Sequence, residues 1–408
     1  MASIENVTSR KILNSRGEWT IETKVFLDDG SIGVQPVPNG ASEGENEAVD
    51  VDPETAIDIV NNTIANVLIG KDAENQKDLD ETMVKLDGTP NKSKMGGNSI
   101  LSVSLAVSKA CAVSKNINLY EHLATLYGKR PKNGGDLHFP TPIFNVLNGG
   151  KHARNDLSFQ EFMVIPALNT PYNIAYQMGV NIYHSLEEVL SSDDFETAVG
   201  DEGGYEPHGL CCTTALDYVK QAIEKKYDVG SDVFLGMDIA AGSFFENDKY
   251  NISEENIELS TSELFEYYER LLDKYELIYL EDPFYEKDRE GWRRFYSKHS
   301  DKLMIVADDL VVTNPVLLAG VIKDKLANAV IVKPNQIGTL TETLEFVRLA
   351  RKAKMNVIVS HRSGDNVDSF ISDLAIGIDA DFIKSGAPAR GERVAKYNRI
   401  LEIWDNNN

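Results

Sequence analysis

Six short apolar runs in the second half of this 408-residue chain each stop on a polar, mostly ionisable residue. Val233–Met237 runs into Asp238, Leu277–Leu280 into Glu281, Leu303–Ala307 into Asp308, Ala329–Val332 into Lys333, Val357–Ser360 into His361 and Arg362, and Phe382–Ile383 into Lys384. Amphipathic helical stretches fill the gaps, and after a longer first interval the repeat is about 25–30 residues, the pace of one strand plus one helix. That pace predicts an α/β fold in which parallel strands and crossover helices close as a (β/α)8 barrel, with catalytic groups at the C-terminal strand ends. Three carboxylates and two lysines would then share one mouth, an assembly that costs desolvation unless a metal or a function organises it.

The first part of the chain reads differently. Extended segments at Ile21–Leu27 and Ile32–Val37 flank Asp28-Asp29-Gly30, a hairpin pattern, and Pro53–Leu68 and Asn98–Ser114 carry apolar residues at helical intervals. We therefore expect an α+β domain over residues 1–128, a linker at 129–139 rich in Lys, Pro, Gly and Asp, and the barrel over 140–408.

Charge and cysteine usage bound the function classes. Acidic residues outnumber basic ones, 64 to 41, and a net charge of −23 repels a phosphate backbone, so nucleic acid is not an expected partner. No apolar run approaches the length of a membrane span, and the N-terminus has no apolar leader, so the expectation is a cytoplasmic protein without a membrane partner. Cys111, Cys211 and Cys212 lack the spacing of a zinc or redox motif, which fits a reducing compartment.

Asp238, Glu281 and Asp308 offer hard oxygen ligands with no neighbouring thiol, a set suited to Mg2+ rather than zinc. Lys333, placed by the barrel beside Lys384, is expected to have its pKa depressed toward working pH by neighbouring positive charge, as a base requires. A second acid pair is available from Gln160-Glu161, which precedes rather than follows the apolar run Phe162–Pro166, and from the Gly-rich turn Gly200-Asp201-Glu202-Gly203-Gly204.

Several motifs resemble the enolase family: Ser360-His361-Arg362-Ser363-Gly364, Lys333 through Gly338 with the following Thr-Leu-Thr-Glu-Thr, and Val199 through Gly204. Ser15-Arg16-Gly17, Leu86 through Lys94, Asn148 through Ala153, Gln160 through Met163 and Glu392 through Asn398 extend the resemblance over nearly the whole chain, and Ser385 through Arg393 looks most like archaeal enolases. The resemblance implies an α+β cap on a modified TIM-type barrel that dehydrates 2-phosphoglycerate reversibly to phosphoenolpyruvate in glycolysis and gluconeogenesis. It implies that Asp238, Glu281 and Asp308 hold one Mg2+, with a second joining when substrate binds. By the same likeness Lys333 takes the C2 proton, Lys384 stabilises the resulting charge, and Glu202, helped by Glu161, protonates the departing C3 hydroxyl. Arg362 and Ser363 would grip the phosphate, His152 would close from a loop, and Gln160, His361 and Ala41 would complete the substrate contacts. A homodimer or larger homo-oligomer is implied as well.

The chain also departs from the family pattern. Asn39 and Glu43 stand in the closing loop where enolases usually have Ser and Thr, and Asn39 is expected to offer its carbonyl oxygen to the second metal. The segment after Glu47 is shorter than usual, Gly242-Ser243 replaces Ser-Glu, and Glu18-Trp19 replaces Asn-Pro. Two other readings remain open at this stage: a related Mg-dependent acid-sugar dehydratase, and an enolase-derived binding protein with impaired activity.

Overall fold

The computed structural model describes residues 2–40, 44, 46–129 and 137–407. Ala41 and Glu43, and most of the expected linker, lie outside these residues. The N-terminal part opens with an antiparallel sheet of β1 (Ile4–Leu13), β2 (Trp19–Leu27) and β3 (Ile32–Pro36), in that order. Asp28-Asp29-Gly30 makes the expected turn, with Gly30 at φ +87° and its N–H donated to Leu27 O at 3.0 Å.

The stretch Pro53–Leu68 is helical throughout but tightens differently in its middle. A start at Pro53–Asp58, where Asp52 caps Thr55 N at 3.0 Å, leads into a π-helical Ile59–Ile64 and then Ala65–Leu68. Helix Gly97–Ser114 is buried along nearly its whole length, and its small Ala and Ser residues let β3 come close. A Cβ on Gly33 would lie 1.9 Å from Ala106 O, so only glycine fits there. The next helix, Leu119–Tyr127, carries His122 in this core, with both ring nitrogens buried and unpartnered.

Eight strands close the barrel: β4 (Thr141–Asn148), β5 (Glu161–Pro166), β6 (Val233–Asp238), and, after a small antiparallel sheet of β7 (Phe245–Glu246), β8 (Lys249–Ile252) and β9 (Ile257–Leu259), β10 (Leu277–Glu281), β11 (Met304–Ala307), β12 (Ala329–Val332), β13 (Asn356–Ser360) and β14 (Phe382–Lys384). Around the ring the order is β10, β11, β12, β13, β14, β4, β5, β6. All six predicted strands are present and parallel to their predicted neighbours, and the small sheet accounts for the longer first interval. The ring departs from a regular (β/α)8 pattern at β5, which pairs antiparallel with both β4 and β6. Ile143, Met163, Ile165, Tyr279, Ile331 and Ile358 are among the side chains that fill the interior, so the barrel is a packed core with its opening at one end.

The cap grips the segment that follows Lys333. Ala48 N–H donates to Gln336 O at 2.8 Å, and Leu340 N–H to Ser104 Oγ at 3.0 Å. Asp80 accepts from Thr341 N at 2.9 Å and Thr341 Oγ1 at 2.6 Å, and the buried Lys92 ammonium lies 3.0 Å from Glu342. Ser104 and Asp80 thus satisfy the first two N–H groups of helix Leu340–Lys352 from another domain.

His122 gives the cap a pH dependence whose sign follows from its burial, which pulls the imidazole pKa down to about 4. The unfolded chain takes up a proton near the ordinary value of 6.5 while the folded cap refuses it, so stability is lost as pH falls from 6.5 toward 4. We expect urea unfolding of the native protein to lose about 2 kcal/mol more than His122→Leu between pH 7 and pH 5. Equal losses in the two proteins would mean that His122 is hydrated or paired.

Candidate active site

Each polar residue stands where its apolar run stops. Asp238, Glu281 and Lys384 are the last residues of β6, β10 and β14, while Asp308, Lys333 and His361 directly follow β11, β12 and β13. Glu161 is the first residue of β5, yet because that strand is reversed it lies in register with Asp238 and Asn148 at the same end of the barrel. His152 comes from the turn after β4, and Glu202 from the loop between helices Tyr172–Ser192 and Cys212–Glu224. One pocket is lined by Glu161, Glu202, Asp238, Asp308, Lys333 and Lys384, with Gln160, His152, His361, Arg362 and Ser363 around them.

Lys384 sits at the centre of this charge. Its Nζ is 3.0 Å from Glu161 Oε2, 3.1 Å from Asp238 Oδ2 and 2.9 Å from Glu281 Oε2, and all four side chains are buried. β14 and β10 are four places apart in the ring of eight, so the ammonium bridges the mouth from one wall to the other. Asp308 pairs instead with Lys333 Nζ and receives Gln336 Nε2 at 2.9 Å. Thr313 fixes both neighbours: its hydroxyl donates to Gln336 Oε1 at 2.8 Å and accepts Lys333 N–H at 2.9 Å. Asp282 aligns Asp308 by accepting the N–H groups of Asp308 and Asp309 at 3.0 and 2.8 Å. Gln160 Nε2 and Ala240 N–H hold Asp238 at 3.3 and 3.0 Å, and the Tyr279 hydroxyl donates to Glu281.

The acid pair faces this centre. His152 Nδ1 is 3.4 Å from Glu161 Oε1 and 3.5 Å from Glu202 Oε1. The second Glu202 oxygen accepts from Asn145 Nδ2 at 3.1 Å and lies 3.3 Å from His361 Nε2. Beside them Arg362 presents Nη1 and Nη2 to the two oxygens of Glu47, at 2.9 and 3.4 Å, and Nη1 also donates to Asn335 Oδ1 at 3.1 Å. Asn39 is not brought to the mouth. Its N–H and C=O exchange hydrogen bonds with Gly364 at 2.8 and 2.9 Å, and its amide oxygen faces Asn14 Nδ2 at 3.5 Å. Ser243 does reach the pocket, from the turn after β6.

Comparison with known proteins gives this arrangement a family. Residues 136–407 match the description "Enolase, C-terminal TIM barrel domain" and residues 4–123 match "Enolase, N-terminal domain". A protein named "Enolase" from Ehrlichia ruminantium (strain Welgevonden) is 42% identical over 412 aligned residues, covering 98% of this chain and 96% of that one. The chain belongs to the enolase family. It is thus a hydro-lyase, a phosphopyruvate hydratase, and enolases depend on magnesium.

The mouth fits such an ion. Glu281 Oε1 is buried without a hydrogen-bond partner. Burial, reinforced by neighbouring carboxylates, pushes Asp238 up to about 6 and Glu281 up to about 7, so ionising them together is costly and a divalent cation between them would offset that cost. Here the two lysines occupy these carboxylates, and Asp238, Glu281 and Asp308 do not form the tightest acidic group. Among the described residues, ligand atoms come within 4.8 Å of one another in two other sets, His152 with Glu161 and Glu202, and Asp282 with Asp308 and Asp309.

Proton affinities at the mouth are pushed apart. Burial, with the nearby Glu202 charge, raises Glu161 well above the usual carboxylate range despite Lys384. Burial also acts against Glu202, but His152 and His361 outweigh it and hold that carboxyl well below the range. Lys333 corrects a sequence expectation. Burial and the charges of Arg362 and Lys384 do lower its pKa, but Asp308 at contact distance overrides them and the net shift is upward. Glu47, Asp282 and Arg393 were not singled out from the sequence as site residues, because each acts through a partner distant in the chain rather than through a local motif.

The Glu47–Arg362 pair is buried on both sides, 5% and 6% exposed. Glu47→Ala removes the carboxylate paired with a buried guanidinium, and we expect a loss of about 3 kcal/mol in chemical unfolding. A loss under about 1 kcal/mol would mean that other groups already balance Arg362.

Proposed function

We propose that this chain interconverts 2-phosphoglycerate and phosphoenolpyruvate with Lys333 as the base at C2 and the Glu161–Glu202 pair as the proton source at C3. The observation that carries this assignment is the ring geometry: β12, which precedes Lys333, and β5, which begins with Glu161, are four places apart among eight strands. A base and an acid on opposite walls suit removal of a proton and a hydroxide from opposite sides of one small substrate. Asp238, Glu281 and Asp308 would hold the magnesium, which supplies positive charge against the substrate carboxylate and the charge that develops when C2 is deprotonated.

The remaining roles belong to the protein's own groups. Lys384 adds an ammonium on the same side as the metal ligands and needs no proton transfer of its own. Asp308 holds Lys333 protonated through their contact, so the base becomes available when the charge of Asp308 is committed elsewhere. Glu161 and Glu202 titrate as a pair that shares one proton, and that proton is the one delivered to the leaving hydroxyl. Arg362 and Ser363 take the phosphate, as the fork geometry of a guanidinium suits, and His152, Gln160 and His361 close the remaining sides. Asn39, whose amide oxygen faces Asn14 Nδ2 at 3.5 Å, would offer a carbonyl oxygen to a second magnesium.

Residues 1–128 form the cap and 140–408 the barrel in this reading, working in the cytoplasm in glycolysis and gluconeogenesis. A homodimer or larger ring accords with the family resemblance and with Leu13 and Trp19, partners in register on the first hairpin and both about half exposed.

Purified protein with Mg2+ should form phosphoenolpyruvate from 2-phosphoglycerate, read by its ultraviolet absorbance, and should leave unphosphorylated acid sugars untouched. Turnover of an acid sugar alone would favour a different dehydratase. Lys333→Ala should cut kcat by about a thousandfold or more, within the range of general-base losses, while magnesium affinity by calorimetry holds or rises because Asp308 is released. Near-normal turnover in that variant would remove Lys333 as the base.

A further inference from the structure

Arg393 lies outside the pocket, is completely buried, and belongs to the first turn of helix Gly391–Asn407. Its guanidinium nevertheless reaches two walls of the site. Nη1 lies 2.6 Å from His361 Nδ1 and 2.5 Å from Arg362 O, while Nη2 donates to Ser363 O at 2.6 Å and to Asp201 O at 3.1 Å. The loop carrying Glu202 and the segment carrying His361, Arg362 and Ser363 are therefore tied to one side chain.

The contact with His361 has a chemical consequence. A guanidinium has five donors and no acceptor, so a ring nitrogen 2.6 Å from it can only accept. The proton of a neutral His361 must then reside on Nε2, the nitrogen that lies 3.3 Å from Glu202 Oε2. We propose that Arg393 is a positioning residue that fixes the His361 tautomer and thereby aims a hydrogen-bond donor at Glu202. The groups facing the Glu202–His361 unit are Asn145, His152, Glu161 and Asp365, and none of them competes for Nδ1: Asn145 donates to Glu202, His152 lies between Glu161 and Glu202, and the carboxylate of Asp365 is 3.6 Å from Arg393 Nη1. Burial keeps the imidazole neutral, lowering its pKa to about 4, so the tautomer rather than the charge is the variable. A donor on Nε2 favours the ionised form of Glu202.

This inference rests on the proposed role of Glu202, but its test does not require turnover. The chain has seven histidines, and ring 15N spectra of histidine-labelled protein, with His361 assigned through His361→Gln, report which nitrogen carries the proton. Native protein should show His361 protonated on Nε2 alone, Arg393→Lys should keep that state, and Arg393→Met should move proton density to Nδ1. In activity assays Arg393→Met should lower kcat by about tenfold or more and shift the pH profile, while Arg393→Lys recovers most of the loss. A native His361 protonated on Nδ1 overturns the proposal even if Arg393→Met fails to fold. So does a folded Arg393→Met protein with an unchanged tautomer and pH profile, which would leave Arg393 as a backbone clamp. An inactive native protein with the Nε2 tautomer in place would count against the catalytic assignment and not against this one.

Discussion

The buried ammonium of Lys384, shared among Glu161, Asp238 and Glu281, is the contact on which the mouth of this barrel depends. Three carboxylates in a nearly dry ring would repel one another, and all three have raised proton affinities even with the lysine present. One cation reaching across the ring offsets part of that repulsion and draws the three carboxylates to a common point. It also couples the metal side of the site to the acid side, because Glu161 and Glu281 touch the same nitrogen.

A second layer of constraint comes from the N-terminal domain. Asp80, Lys92, Ser104 and Ala48 all bond the segment between Gln336 and Glu342, immediately after the proposed base. Gln336 in turn bonds Asp308, so a cap residue acts on a barrel carboxylate through one intermediate. Glu47, the neighbour of Ala48 in the chain, bonds Arg362 directly. These contacts explain why the cap is part of the site although the barrel supplies most of the charged groups.

Much of this was legible in the sequence, for a physical reason. Apolar runs of strand length that end on an ionisable residue announce both the strand and the end at which its chemistry sits, and Asp238, Glu281, Asp308, Lys333 and Lys384 lie where their runs stop. Glu161 carried a signal as well: it precedes its run, Phe162–Pro166, as an acid at the same mouth must when its strand points the other way. What stayed hidden was contact between distant positions. Nearby positive charge was expected to leave the Lys333 pKa depressed, but no spacing rule says that Asp308 touches its amine and drives the net shift upward.

The single reversed strand has a consequence for parity. A chain that travels down β5 instead of up arrives at the floor, where β6 also begins, so its connection must cross the height of the barrel an even number of times. Helices Tyr172–Ser192 and Cys212–Glu224 are those two crossings, and the bend between them is delivered to the rim with Glu202 on it. The bend after β4, with His152, lies at the rim as it would in a regular barrel, because β4 runs parallel to β14. One change of strand direction therefore brings Glu161 and Glu202 to the rim where His152 already stands.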